Sequence, residues 1–297
     1  YGGHFDWAPL PIANSEMADA KVVKWAKTQL ATEHEKPLFL SVGIYRPQVP
    51  WYAPQKYFDR FPLDSIQLPK YLDQDVVDLP EAAQKLTKSQ WHDWIVANKQ
   101  WKKAVQGYLA SLSFADDMIG ELLTALNDGP LAENTTVILW GDHGWHLGEK
   151  EHWRKHALWE VSTRTPLMFL VPGGAAKGQL CQRPVSLIDI YPTLVELCGL
   201  PQRHGMDGQS LKPLLEDPDR EWERPVVTTF GFRNHAIRTE RWRYIQYRDG
   251  GQELYDHEAD PNEWSNLASL PRYSSLKSKL AKWLPVTNVK PAKKSSR

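Results

Sequence analysis

The 297-residue sequence is poor in cysteine, carries no excess of either charge and has no long apolar run. Each shortage closes off a class of protein. Only Cys181 and Cys198 occur, too few for a disulfide framework and silent about redox compartment. Lys+Arg and Asp+Glu each number 36, so the basic excess of a nucleic-acid or anionic-membrane binder is missing. No apolar stretch approaches the roughly 20 residues that span a bilayer. The Gly-x-x-x-x-Gly-Lys-Ser/Thr phosphate loop, the Gly-x-Gly-x-x-Gly fingerprint and the Gly-x-Ser-x-Gly nucleophile elbow are all absent. Neither cysteine sits in a recognisable nucleophile setting, and both read as structural. The chain opens at Tyr1 with neither Met nor a signal-peptide pattern, which reads as a cut rather than a natural start.

What is present is concentrated in one stretch. Val137 to Trp140 is a short apolar run that stops at Gly141 and is followed by Asp142 and His143. Such a run bounded by glycine suits a strand buried on both faces, as in a parallel sheet, and ligands in open α/β sheets bind beyond such strand ends. Four of the ten histidines (His143, His146, His152 and His156) fall within this loop, where chance would place about half of one.

Along the chain, residues 1–15 are too rich in Gly and Pro for a regular element. A helix is expected after Ser15, with Val22, Ala26 and Leu30 on one face, and then a buried strand over 38–43. Residues 52–100 read as a long surface excursion. Tyr108, Leu112, Ala115, Ile119, Leu122 and Leu126 step by four and three, which predicts an amphipathic helix over about 101–126. Asn134-Thr135-Thr136 is a glycosylation sequon, a pattern common by chance. Further expectations are a strand over 167–171 and a helix over 186–200. Short β-like runs at 226–231, 236–239, 242–247 and 252–255 suggest a small antiparallel sheet, covered by a helix over 273–284. The division that follows is an α/β block over 1–221, a small α+β subdomain over 222–288 and a basic tail, disordered by composition, over 289–297.

Spacing alone leaves the chemistry open. Asp142 and His143 can both ligate a cation at a strand's end, or Asp142 can cap the turn while His143 merely hydrogen-bonds. Lys155, twelve residues after His143, is either a point charge for a phosphate or sulfate, or a solvated surface lysine. His152 and His156 bracket it as candidate donors or general acids, with bland roles open for each. Arg46-Pro47-Gln48, in another loop at a strand's end, is either a second wall of the site or a structural crossover.

Taken together, Gly141-Asp142-His143-Gly144, Leu147-Gly148-Glu149, Trp153-Arg154-Lys155 and Thr165-Pro166-Leu167 resemble type I sulfatases, and within them the iduronate-2-sulfatase group. Val42-Gly43, Arg46-Pro47-x-x-Pro50, Ile190-Tyr191-Pro192-Thr193-Leu194, Met206-Asp207-Gly208-x-Ser210-Leu211, Glu253-Leu254-Tyr255-Asp256, Asp260-Pro261 and Asn266-Leu267 follow in the family's order. The resemblance implies an α/β fold of the alkaline-phosphatase type: a mixed sheet between helices, its N-terminal part missing here, with a small C-terminal α+β subdomain. It implies hydrolysis of sulfate esters of a sulfated carbohydrate, with Ca2+ and a formylglycine made from Cys or Ser. Asp142 and His143 match calcium ligands, and Lys155 matches the lysine that meets the sulfate and helps the leaving group depart. Arg46, Gln48, His152 and His156 are carried over as substrate contacts. Neither nucleic acid nor a membrane is an expected partner. Members of the group work in the periplasm, outside the cell or in lysosomes.

Two departures stand out. The Cys/Ser-x-Pro-x-Arg nucleophile motif and the early Asp-Asp calcium pair do not occur in these 297 residues. Gln48 stands where the group usually has histidine, and glutamine donates a hydrogen bond but carries no charge. The chain is therefore expected to be the C-terminal part of a longer enzyme and inactive by itself. The alternatives are a phosphate mono- or diester hydrolase of the same superfamily, and a non-catalytic binder of sulfated glycan.

Overall fold

The computed structural model describes residues 5–87 and 90–290. The tail expected to be disordered lies, from residue 291 on, outside the described residues. In chain order the strands are β1 (Trp7–Leu10), β2 (Trp51–Pro54), β3 (Val137–Trp140), β4 (His146–Leu147), β5 (Trp153–Arg154), β6 (Leu167–Leu170), β7 (Val226–Thr229), β8 (His235–Arg238), β9 (Trp242–Gln246) and β10 (Gln252–Asp256). The helices are α1 (Ala18–Leu30), α2 (Gln55–Asp59), α3 (Glu81–Thr87), α4 (Gln90–Ala97), α5 (Trp101–Asn127), α6 (Glu160–Thr163), α7 (Ile190–Leu197), α8 (Lys212–Glu216) and α9 (Ser274–Ala281). The chain divides into two compact units, residues 1–69 with 93–136, and residues 70–92 with 137–297.

In the first unit β1 and β2 pair in parallel, Trp7 opposite Trp51. Small side chains on α5 let it approach this pair. A Cβ at Gly107 would lie 2.6 Å from Trp7 Cβ, and Ala104 and Ala110 are fully buried. Tyr57 of α2 stacks edge-on against Phe114 of α5 at 5.4 Å, within a core that includes Val23, Phe58 and Met118. Both long helices lie where periodicity places them, but their buried faces are rotated from expectation. Asp19, Val23, Ala26 and Leu30 are buried on α1 while Val22 is exposed, and Leu112 of α5 is exposed. On α5, contact with the close-packed two-stranded sheet selects the alanine and glycine positions over the larger aliphatic ones.

Two expectations fail in this unit or beside it. Residues 38–43 form no regular element, and Phe39 is 79% exposed. An apolar run becomes a strand only where a neighbour completes its ladder, and among the described residues none pairs with this one. The stretch 52–100 is no structureless excursion, since β2, α2, α3 and α4 lie within it. These elements are too short for periodicity to reveal.

The second unit centres on an antiparallel sheet in the order β10-β9-β8-β7. Alternation along its strands fills two cores. Ala236, Ile245, Tyr247 and Tyr255 pack with Leu79, Ala83, Leu158 and Trp159 on one face. Ile237, Tyr244 and Leu254 pack with Leu280 of α9 on the other. β3 pairs with β6, not in parallel as the apolar run suggested but antiparallel, Val137 opposite Leu170. Its residues are partly exposed rather than buried on both faces. Ser186 and Asp189 form a capping box ahead of α7, with Pro192 in the first turn. Among the described residues no helix is long and apolar enough to cross a membrane.

Candidate active site

The loop after β3 is shaped by two glycines that no other residue could replace without movement. A Cβ at Gly141 would lie 2.2 Å from Thr165 Oγ1, and one at Gly144 would lie 2.0 Å from the Val161 carbonyl oxygen. The Gly141 N–H donates to the Pro166 carbonyl at 3.1 Å, and that of Gly144 to the Ser162 carbonyl at 2.9 Å. The loop is thus pinned on the 161–166 backbone, with Asp142 and His143 held between the two pins.

From there the geometry is specific. His143 Nδ1 lies 2.8 Å from the Gly144 carbonyl, which can only accept, so the hydrogen sits on Nδ1. Nε2 then presents a lone pair, and Lys155 Nζ lies 2.9 Å from it. The Asp142 carboxylate is 3.6 Å from the same Nε2 and its side chain is 84% exposed. The Lys155 ammonium also lies over the Trp145 ring at 5.7 Å. Burial lowers the Lys155 pKa, with Asp142 opposing that effect and Arg154 adding to it. Three residues picked from the sequence, Asp142, His143 and Lys155, are therefore brought together.

A cation drawn to this place would meet the Asp142 carboxylate and the His143 Nε2 lone pair, two donors of suitable chemistry. Calcium takes six to eight ligands, mostly oxygen, so these two fit as part of a set. Among the described residues, the group with three candidate ligand atoms in mutual reach is Glu160, His257 and Glu263. It is already filled by arginine: Arg238 Nε pairs with Glu160 at 3.0 Å, Arg243 Nε with Glu263 at 2.6 Å, and Arg243 also with Glu160. That cluster is a buried ion-pair network rather than a vacant metal centre.

Lys155 is delivered by a tight hairpin. β4 and β5 contribute two residues each, His146 opposite Arg154 and Leu147 opposite Trp153. Gly148 turns with φ 119°, and Leu147 N–H donates to the Glu149 carboxylate at 2.7 Å. Lys150, Glu151, Arg154 and His156 all have positive φ. Such conformations cost on the order of 1–3 kcal/mol each in L residues and persist where the surroundings impose them. Part of what imposes them was invisible in the sequence. Lys150 is 3% exposed; its ammonium lies 3.2 Å from Asp75, donates to the Glu263 carbonyl, and sits over the Trp159 and Tyr255 rings. Burial raises the Asp75 pKa to about 7 against the pull of Lys150. Beyond Lys155, Arg243 donates to the Leu158 carbonyl at 2.8 Å and Trp159 Nε1 to Glu253 at 2.8 Å.

The remaining expected contacts are placed differently from one another. His152 is buried, with Nδ1 2.9 Å from the Leu86 carbonyl and Nε2 2.9 Å from the Lys155 carbonyl. Both nitrogens are engaged by backbone, so the role of substrate contact is corrected: neither is left for a sulfate. His156 is exposed and stacks on Phe230 at 5.6 Å, and burial and the nearby Lys155 and Arg154 lower its pKa. In the first unit, Arg46 Nε donates to the Tyr52 carbonyl at 2.9 Å, and its backbone N–H to Asp19 at 3.2 Å. Gln48 Oε1 is buried with no partner among the described residues.

Known proteins resemble this chain in sequence and in fold. The chain matches the family "Sulfatase" over residues 6–200, and "N-sulphoglucosamine sulphohydrolase, C-terminal" over residues 148–290. It is 40% identical to a sulfatase of Formosa agariphila over 286 residues, covering 95% of this chain and 56% of that one. It is 34% identical to mouse iduronate 2-sulfatase, covering 56% of this chain and 36% of the relative. The chain spans about half the length of the curated relatives it matches. Among solved structures it superposes on a phosphonate monoester hydrolase of Agrobacterium radiobacter (TM-score 0.79, 23% identity, covering 95% of this chain and 63% of that one). It also superposes on a protein in complex with its substrate D-glucosamine-2-N,6-O-disulfate (TM-score 0.71, 21% identity, 90% and 68% covered). At these identities the structural likeness speaks for fold alone, which is of the alkaline-phosphatase type. The sequence matches go further: this chain belongs to the sulfatase family.

Proposed function

We propose that the chain is part of a longer sulfuric ester hydrolase that removes sulfate from a sulfated carbohydrate, of the iduronate-2-sulfatase-like kind. The observation that carries this reading is the convergence of Lys155 Nζ on His143 Nε2, with the Asp142 carboxylate beside it. Mouse iduronate 2-sulfatase and the disulfated-glucosamine complex among the relatives support the choice of ester and of carbohydrate. By the same reading, Asp142 and His143 would be two of the ligands of a calcium ion, which would supply positive charge for the sulfate oxygens, and the nucleophile would be a formylglycine that these residues do not include. The Cys/Ser-x-Pro-x-Arg sequence is absent here, so residues 1–297 alone are expected to turn nothing over.

What this chain's own residues contribute can be derived from their geometry. The Lys155 ammonium is partly shielded from water, where a fixed charge counts for more than in bulk solvent. Directed at a sulfate oxygen, it stabilises negative charge that develops as the S–O bond breaks. Its lowered pKa also brings it nearer to giving a proton to the departing oxygen. His143, holding its hydrogen on Nδ1 against Gly144, keeps the Nε2 lone pair available; here it faces the Lys155 ammonium, and a bound cation would take that lone pair and leave the ammonium to the sulfate. His156, exposed and next in sequence to Lys155, is proposed as a substrate contact, and Arg46 and Gln48 of the first unit are proposed as such from the family resemblance alone.

In the longer enzyme, Lys155→Ala is expected to lower kcat/KM for a sulfate monoester about 10²- to 10³-fold, as removal of one oxyanion donor does elsewhere. Wild-type turnover faster on the phosphate than on the sulfate of the same alcohol would transfer the site to phosphate esters. Glycan binding without any sulfate release would make it a binding protein.

A further inference from the structure

Lys155 is flanked by two residues of positive φ, Arg154 at 76° and His156 at 75°. An L residue does not hold that conformation unless its surroundings require it. The group in contact with the peptide between them is the His152 ring. Nε2 lies 2.9 Å from the carbonyl oxygen of Lys155 itself, and Nδ1 lies 2.9 Å from that of Leu86. Leu86 is in the last turn of α3, where carbonyls lack helical partners. The ring is wedged edge-on between His146, 4.9 Å away, and Trp159, 6.1 Å away, so it cannot pivot without moving both. A carbonyl accepts and does not donate, and burial lowers the His152 pKa, so the neutral ring donates its one N–H to one of the two carbonyls and packs its other nitrogen against the second. Leucine or methionine at this place keeps the volume and donates to neither carbonyl; glutamine can donate from one amide nitrogen.

We infer that His152 is a positioning residue: it ties the Lys155 backbone to the end of α3 and so aims the Lys155 ammonium at His143. The kinetic part of this inference rests on the sulfatase reading above; the structural part does not.

The test compares His152→Leu with His152→Gln. In the 297-residue protein, the side-chain 15N signal of His143 Nε2 reports the Lys155 contact, and Lys155→Met gives its position when that contact is lost. His152→Leu is expected to move the signal more than half-way to the Lys155→Met position, while His152→Gln stays near wild type. If His152→Leu melts without cooperativity, His152→Met takes its place in the same comparison. In the longer enzyme, the variant without a donor should lose on the order of 10²-fold in kcat, as about 1 Å of misplacement can cost, with KM changed less than about 2-fold. Glutamine should restore most of that loss. An unmoved His143 signal, or equal effects of leucine and glutamine, overturns the inference and leaves His152 a packing residue. A moved signal with unchanged kcat upholds the aiming of Lys155 and overturns its part in sulfate hydrolysis.

Discussion

Gly144 shows how little freedom the loop after β3 has. A methyl group there would sit 2.0 Å from the Val161 carbonyl oxygen and 2.7 Å from that of Arg164, backbone atoms that cannot swing aside. Gly144→Ala should therefore destabilise the protein by about 1–3 kcal/mol, the usual penalty for overpacking, and displace Asp142 and His143. Gly120 is the control: it lies mid-helix in α5 with nothing near its missing Cβ, so Gly120→Ala should stabilise by about 0.5–1 kcal/mol. Urea titrations of the two variants check both signs. At this scale the sequence was informative where chemistry is local. Gly-Asp-His-Gly sits in four consecutive residues, and Lys155 follows within one hairpin. It was uninformative about Lys150, whose partners Asp75 and Glu263 stand 75 and 113 residues away. A buried lysine looks like any other until its counter-charge is known.

Among the elements, the segment from β4 to α6 behaves as a strap fastened at both ends. Lys150 anchors it before Lys155, and Arg243 and Glu253 anchor it after, through Leu158 and Trp159. Glu160 closes the second anchor. Burial works to raise its pKa, but Arg243 and Arg238 more than offset this and bring it down from 4.5 to about 2. A carboxylate so depressed contributes stability that is fully present above about pH 4.5 and is lost as pH falls toward about 2. The contribution is on the order of 3 kcal/mol. Glu160→Gln is expected to be less stable at pH 7 and to lose less stability between pH 5 and 2; parallel acid profiles for variant and wild type would contradict this. Legibility at this scale follows the range of the contacts involved. The strands at 226–256 announce themselves through alternation and turns between neighbours in sequence. The buried face of α5 does not, because a sheet with bulky Trp7 and Trp51 chooses Gly107 and Ala110 as its neighbours. The unpaired run at 38–43 fails for the same reason, since pairing is a property of two segments.

For the whole molecule, family membership rests on a match across residues 6–200, and the chemistry on a much smaller set of atoms. The 222–288 subdomain, proposed from its short β-like runs, contains the four-stranded sheet, which falls in the same compact unit as residues 137–221. That placement lets Glu253, Arg243 and Glu263 reach the strap that carries Lys155. The central claim is that Lys155 meets the sulfate and assists the leaving oxygen. It is tested most directly by comparing Lys155→Ala with wild type, in the longer enzyme, on a nitrophenyl sulfate and on an alkyl or sugar sulfate. A poor leaving group depends more on assistance than a good one, so the loss in kcat/KM should be about 10-fold or more greater for the sugar sulfate. An equal loss on both esters would contradict leaving-group assistance by Lys155, and no loss on either would remove Lys155 from the site.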